Sequence, residues 1–208
     1  MKTDITMILD RSGSMRTIAS DAIGGVNNFI QEQKKVEGEA SFTFVQFDDR
    51  YEVVYDDVNL KEVEGVELQP RGMTALLDAV GKTIKKTQKR LNTGCQSCKP
   101  DKVIFVIITD GYENASTKFT QQDIAKMIKH QQDKHGWDFV FLGANQDSFT
   151  VAQQFNIKPQ FVSNYCATSD GVGLAMKTVT QNMSTYRCST KNDAFFSEDD
   201  QETLENSK

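Results

Sequence analysis

The run Val103-Ile104-Phe105-Val106-Ile107-Ile108-Thr109 constrains this chain more than any other stretch, because every position but the last is apolar. A strand with one wet face alternates apolar and polar residues. A strand that is apolar throughout is covered on both faces, as in largely parallel sheets with helices on either side. Parallel neighbours also need long crossovers, usually helical, and the rest of the chain supplies them.

Thr3 to Leu9 reads as a second central strand, closed by Asp10. Ile18, Ala22, Val26, Phe29 and Ile30 then recur at spacings of three and four, which predicts a helix from Met15 to about Lys34. Gly24 and Gly25 interrupt that stripe and are expected to let the helix approach the sheet. Ser41 to Phe47 and Tyr51 to Tyr55, around Asp48-Asp49-Arg50, read as an antiparallel hairpin. A polar connection over 56–73 leads to a helix with Leu76, Val80, Ile84 and Leu91 on one face. Thr120 and Asp123 mark the start of a helix reaching His135. Further on come a strand from Trp137 to Gly143, a short helix near 147–155 and a strand at Gln160 to Ser163. A last helix carries Val172, Met176, Val179, Met183 and Tyr186 on one stripe. This alternation predicts an open α/β sheet, Rossmann-like in its layering. The end of the chain, 191–208, holds Glu198, Asp199, Asp200, Glu202 and Glu205 and is expected to be a solvated, disordered tail after a domain spanning 1–190.

Composition narrows the function. The 208 residues are 38% hydrophobic and 25% charged, with a formal net charge of -5, which fits a globular domain and weakens any case for non-specific nucleic-acid binding. No stretch approaches the ~20 apolar residues of a membrane span, and the first residues lack the apolar core of an export signal. A cytoplasmic setting with reduced cysteines is the expectation.

Three pieces of sequence carry chemistry. Asp10-x-Ser12-x-Ser14 follows the first strand, Thr74 precedes the second helix, and Asp110 follows the most apolar strand in Thr109-Asp110-Gly111. In open α/β sheets, sites form at the carboxyl ends of strands where the connections diverge. The donors are two carboxylates and three hydroxyls, a hard oxygen set that suits Mg²⁺, Mn²⁺ or Ca²⁺ rather than Zn²⁺. Gly13 lets the backbone turn between the serines, and Ser14 is also placed to cap the first helix.

"ILDRSGSM", "RGMTALLDAV" and "VIITDG", in that order, resemble the three motifs of the metal-ion-dependent adhesion site of von Willebrand factor type A domains. The resemblance covers about residues 3–187. It implies a mostly parallel sheet with one antiparallel edge strand, here Tyr51 to Tyr55, and helices on both faces. It also implies direct metal ligation by Ser12 and Ser14. Thr74 would bind directly or through water, with Asp10 and Asp110 acting through water or by orienting the serines. The last ligand would be an Asp or Glu of another protein. The resemblance therefore implies a protein-binding module, an adaptor or complex subunit, and no enzymatic activity.

The rival reading is a metal-dependent phosphoesterase or other hydrolase using the same cluster. An aspartyl nucleophile after the first strand would call for an acid at position 12, where Ser12 stands, and metal-assisted hydrolysis favours more carboxylates on the ion. No G-x-G-x-x-G or G-x-x-x-x-G-K-[ST] occurs. Cys95-x-x-Cys98 is half of a zinc site or redox pair, without a second pair in sequence. His130 and His135 read as a solvated helix end. Lys82 to Arg90 read as the wet face of a helix, and Asp48, Asp49, Asp56 and Asp57 as turn residues.

Overall fold

The computed structural model describes residues 1–93, 99–144, 147–189 and 193–207; Cys95 and Cys98 lie outside them. Its sheet contains β1 (Lys2–Asp10), β2 (Glu39–Phe47), β3 (Tyr51–Asn59), β4 (Lys102–Thr109), β5 (Asp138–Gly143) and β6 (Val162–Asn164). The spatial order is β3-β2-β1-β4-β5-β6, parallel throughout except for β3, which runs antiparallel to β2 at one edge. The α-helices are α1 (Ala19–Gln33), α2 (Leu76–Thr93), α3 (Gln121–His135), α4 (Ser148–Gln154), α5 (Ser169–Cys188) and α6 (Glu198–Glu205).

The two strands read as central are neighbours. From Thr3 and from Val103 onward, β1 and β4 are buried along their whole length. Leu9 pairs with Ile108, so Asp10 and Thr109 end side by side. From β1 the sheet continues to β2, and from β4 it continues to β5 on the other side. The gap between the carboxyl ends of β1 and β4 is therefore the point where the strand order reverses.

Helix packing corrects one expectation. Gly25 serves contact with a helix and not with the sheet: a Cβ built there would lie 2.5 Å from the Met176 Cβ of α5. The first helix also starts later than its apolar stripe suggests. Gly13–Thr17 form a 3₁₀ turn, and α1 begins at Ala19 after Ile18 leaves helical geometry. Ser14 lies inside that turn and does not cap α1.

The basic face of α2 is not simply wet. Lys86 pairs with Asp56 at 2.8 Å, and Arg90 reaches Asp57 at 2.8 Å and buried Asp4 at 2.7 Å. Lys82 lies over the Tyr51 ring and Lys85 over the Phe119 ring. Asp56 and Asp57 are thus residues of the edge strand β3 held by α2, and not turn residues.

The acidic end of the chain departs most from expectation. Residues 193–207 pack onto the body instead of forming a solvated tail beyond residue 190. Phe195, Phe196 and Leu204 are buried. The Phe195 and Phe196 amides donate to the Gln160 carbonyl at 3.1 and 2.9 Å. Gln201 Nε2 donates to the carbonyls of Pro159 and Val162 at 2.9 and 2.8 Å. A reciprocal capping box between Ser197 and Asp200 opens α6. The physical reason is that two adjacent aromatic rings and one leucine give this segment enough apolar surface to dock, while its acidic residues keep largely to the outer face.

Candidate metal centre

Asp10, Ser12, Ser14 and Asp110 form one connected chain of hydrogen bonds. The Ser12 amide donates to Asp10 Oδ1 at 2.6 Å, and the Thr109 hydroxyl donates to Asp10 Oδ2 at 2.6 Å. The Ser12 and Ser14 hydroxyls are 3.0 Å apart, and Ser14 Oγ donates to Asp110 Oδ1 at 2.6 Å. Thr74 joins the set beside Gly111. A Cβ built on Gly111 would meet Ser14 Oγ at 3.3 Å and Thr74 Oγ1 at 3.5 Å. The two hydroxyls therefore converge on one small space beside Asp110, and a side chain at position 111 would fill it. All five residues picked out from sequence meet here.

Each loop is fixed from outside the cluster. The Arg71 amide donates to the Arg11 carbonyl at 2.8 Å, and the Gly13 amide to the Gly72 carbonyl at 3.2 Å. The loop bearing Thr74 is thereby tied to the loop bearing both serines. Gly72 has φ +67°, and an added Cβ would lie 2.1 Å from the Asp49 carboxylate, so the turn demands glycine. Asn114 Oδ1 accepts from the Thr74 amide at 2.9 Å, and the Thr74 carbonyl accepts from the Asn114 and Ala115 amides. Glu113 accepts from the Leu77 amide of α2 and from the amides of Ala115 and Ser116 within its own loop. Asp78 of α2 accepts from the Lys118 and Phe119 amides.

Beneath this lies a charged hub that the sequence did not announce. Arg11 is buried and donates through Nε to Asp48 Oδ2 at 2.9 Å, with Glu52 as a second carboxylate partner. Arg71 donates to the same Asp48 oxygen at 2.8 Å, and the Arg50 amide to its other oxygen at 2.6 Å. Asp48, read from sequence as a turn residue, is fully buried. Its carboxyl is pushed up by burial, but the Arg71 hydrogen bond, the Arg50 amide and the Arg11 charge outweigh that and hold it below the usual range. No spacing rule exposes this hub, because its members come from three separate loops. Thr109 was visible only as part of Thr109-Asp110-Gly111; its role in fixing Asp10 depends on the strand register.

The site carboxylates behave oppositely. Burial pushes Asp10 up to about 6, against hydrogen bonds from Thr109 and Ser12, and the nearby Asp110 charge adds to the rise. Burial also raises Asp110, partly offset by the Ser14 hydroxyl. Two desolvated carboxylates side by side are relieved by a cation. Among the described residues no cluster of three His, Cys, Asp or Glu side chains forms a metal site. The donor set here is of another kind, with two carboxylates and three hydroxyls. Its chemistry fits a hard divalent cation.

No family model and no curated protein sequence matches this chain. Solved structures do. Proximal thread matrix protein 1 from the mussel byssus, in a form titled as having a zinc-occupied MIDAS motif, matches with TM-score 0.59 and 16% identity over 88% of this chain. The vWF domain of the type V pili tip protein Mfa5 from Porphyromonas gingivalis matches with TM-score 0.62 and 11% identity, covering 93% of this chain and 98% of that one. Manganese-loaded TRAP from Plasmodium vivax matches with TM-score 0.52 and 12% identity over 80% of this chain and 69% of that one. This chain spans 46% of the mussel protein's length. The fold is therefore that of von Willebrand factor type A domains, with its single antiparallel strand at the edge.

Proposed function

We propose that this chain is a protein-interaction module that depends on a divalent cation. The observation that carries the reading is the convergence of Ser14 Oγ and Thr74 Oγ1 on the space beside Asp110, with Ser12 3.0 Å from Ser14. In this reading Ser12, Ser14 and Thr74 offer neutral oxygens to the ion, and Asp10 and Asp110 orient them and balance its charge. Mg²⁺ is the favoured ion, with Mn²⁺ or Ca²⁺ as substitutes. The zinc and manganese in the titles of two structural neighbours support a divalent cation in general.

When bound, the cation supplies an electrophilic centre. Neutral ligands leave much of its charge unspent, so an outside carboxylate is attracted. The partner is then another protein offering an Asp or Glu, and the module acts as an adaptor or complex subunit in the cytoplasm. We read it as a binding site and not as an enzyme, taking the hydroxyl and carboxylate oxygens of the five residues as donors to the ion and not as a nucleophile and its base. No helix among the described residues is long and apolar enough to cross a membrane.

Titration calorimetry with MgCl₂ and MnCl₂ tests the first half directly. The wild type is expected to bind one ion, and Asp110→Ala and Ser12→Ala to lose it while keeping a native far-ultraviolet spectrum. Absence of binding heat in the wild type, together with an unmoved melting curve in excess of either metal, would overturn the reading.

A further inference from the structure

Exposed large hydrophobic side chains are few among the described residues: Met1, Val54, Met73 and Tyr112. The two most exposed, Met73 at 56% and Tyr112 at 64%, are not scattered. Met73 directly precedes Thr74, and Tyr112 directly follows Gly111. Their loops touch at the candidate centre, where Gly111 faces the Thr74 hydroxyl and the Asn114 amide donates to the Thr74 carbonyl at 3.0 Å. The methionine and the tyrosine leave more than half of their surface in water beside a polar site. Both are residue types enriched where one protein meets another.

The charge at this rim has a sign as well. Arg16, on the turn that carries Ser14, is exposed and enters no ion pair among the described residues. The chain as a whole carries -5, so a local cation and a bound divalent ion would make this rim an attractive face for an acidic segment. Asp49, against Gly72, and Glu113, next to Tyr112, are nearby opposing charges, with Arg50 beside Asp49 and Glu113 engaged by the Leu77, Ala115 and Ser116 amides.

We propose that the partner presents a short segment in which the metal-seeking Asp or Glu is flanked by apolar side chains, and that Met73 and Tyr112 receive them. This rests on the proposed function, since the carboxylate needs the cation. The metal would fix the position of the acid, and the apolar contacts would select which acidic segment binds. Met73 and Tyr112 would thus set specificity without touching the ion.

The test uses three synthetic peptides and the full chain, followed by NMR titration in Mg²⁺ and in EDTA. The probes are Ac-Gly-Leu-Asp-Leu-Gly-NH₂, the same peptide with both leucines replaced by glycine, and the leucine peptide with Asn in place of Asp. In Mg²⁺ the leucine–Asp peptide is expected to bind about tenfold tighter than the glycine–Asp peptide, the scale of one leucine withdrawn partly from water. The double variant Met73→Ser/Tyr112→Ser should lose that tenfold gain while retaining wild-type Mg²⁺ affinity by calorimetry. The Asn peptide should not bind. If both Asp peptides bind equally, or if the leucine gain survives in the double variant, the proposal is overturned while the metal reading stands. If no Asp peptide responds to Mg²⁺, the proposal is overturned, and calorimetry of the metal alone shows whether the metal reading stands or falls with it.

Discussion

The centre at the carboxyl ends of β1 and β4 and the docked segment at the end of the chain are built on opposite principles. The first is polar side chains fixed by short hydrogen bonds and a buried ionic hub, with little apolar surface of its own. The second is two phenylalanines and a leucine in an otherwise acidic stretch, with the Phe195 ring packed against Phe161 and Tyr186 at centroid distances of 6.5 and 5.7 Å and against Phe196 at 5.0 Å. The comparison teaches that order can come from either source. A polar centre needs every partner present, whereas an apolar anchor needs only a few contacts that exclude water.

The sharpest way to break the comparison is Asp48→Ala. It removes the carboxylate shared by Arg11 and Arg71 and leaves the buried Arg11 with a weaker set of partners. Losing one member of a buried ionic cluster costs about 3–5 kcal/mol, measurable by urea denaturation. A loss under about 1 kcal/mol, the range of exposed ion pairs, would mean the hub does not hold the loops. Phe196→Ala is the matching change at the other region. It empties a fully buried ring site and should cost about 3 kcal/mol. Deleting residues 193–208 should lower the melting temperature as well, and an unchanged temperature would show that the segment stays free.

Cation dependence separates the regions next. At a hundredfold excess over Kd, Mg²⁺ should stabilise the wild type by about 2.7 kcal/mol. Phe196→Ala should keep that increment in full, and Asp110→Ala should lose it. If the increment vanished in Phe196→Ala too, the two regions would be coupled and the contrast between them would be false.

How much of this was legible in sequence follows from the same contrast. Asp10, Ser12, Ser14 and Asp110 stood out because they sit at or just after strand ends, where topology brings together what the chain separates, and Thr74 because it stands just before a helix. The parallel core was legible because β4 is apolar at almost every position. Asp48 was hidden: an aspartate in a polar turn looks the same whether it faces water or an arginine folded beneath another loop. Phe195 and Phe196 were hidden for the reverse reason. Averaged with five acidic neighbours they vanish into a polar composition, although docking depends on the individual rings and not on the mean. Gly25 was noticed, but only the helix register could tell that Met176 is what it meets.

The smallest effect distinguishes two buried carboxylates that both pair with arginine. Asp48 sits below the usual range, so ionised Asp48 stabilises the fold: its contribution is complete above the unfolded value and is lost as pH falls through the lower folded value. Asp4 is the opposite. Burial outweighs the attraction and hydrogen bond of Arg90 and raises its carboxyl, so its charge costs stability above the folded value and protonation on acidification relieves that cost. Asp4→Asn should therefore be mild at neutral pH, because Arg90 keeps Asp57 as a partner. It should also remove a component of stability that rises on mild acidification, whereas Asp48→Asn should remove one that falls in stronger acid. Urea midpoints of the wild type and both variants across the acid range check this. Parallel pH profiles for the two variants would show that Arg90 compensates Asp4 as fully as Arg11 and Arg71 compensate Asp48, and that burial does not set the two apart.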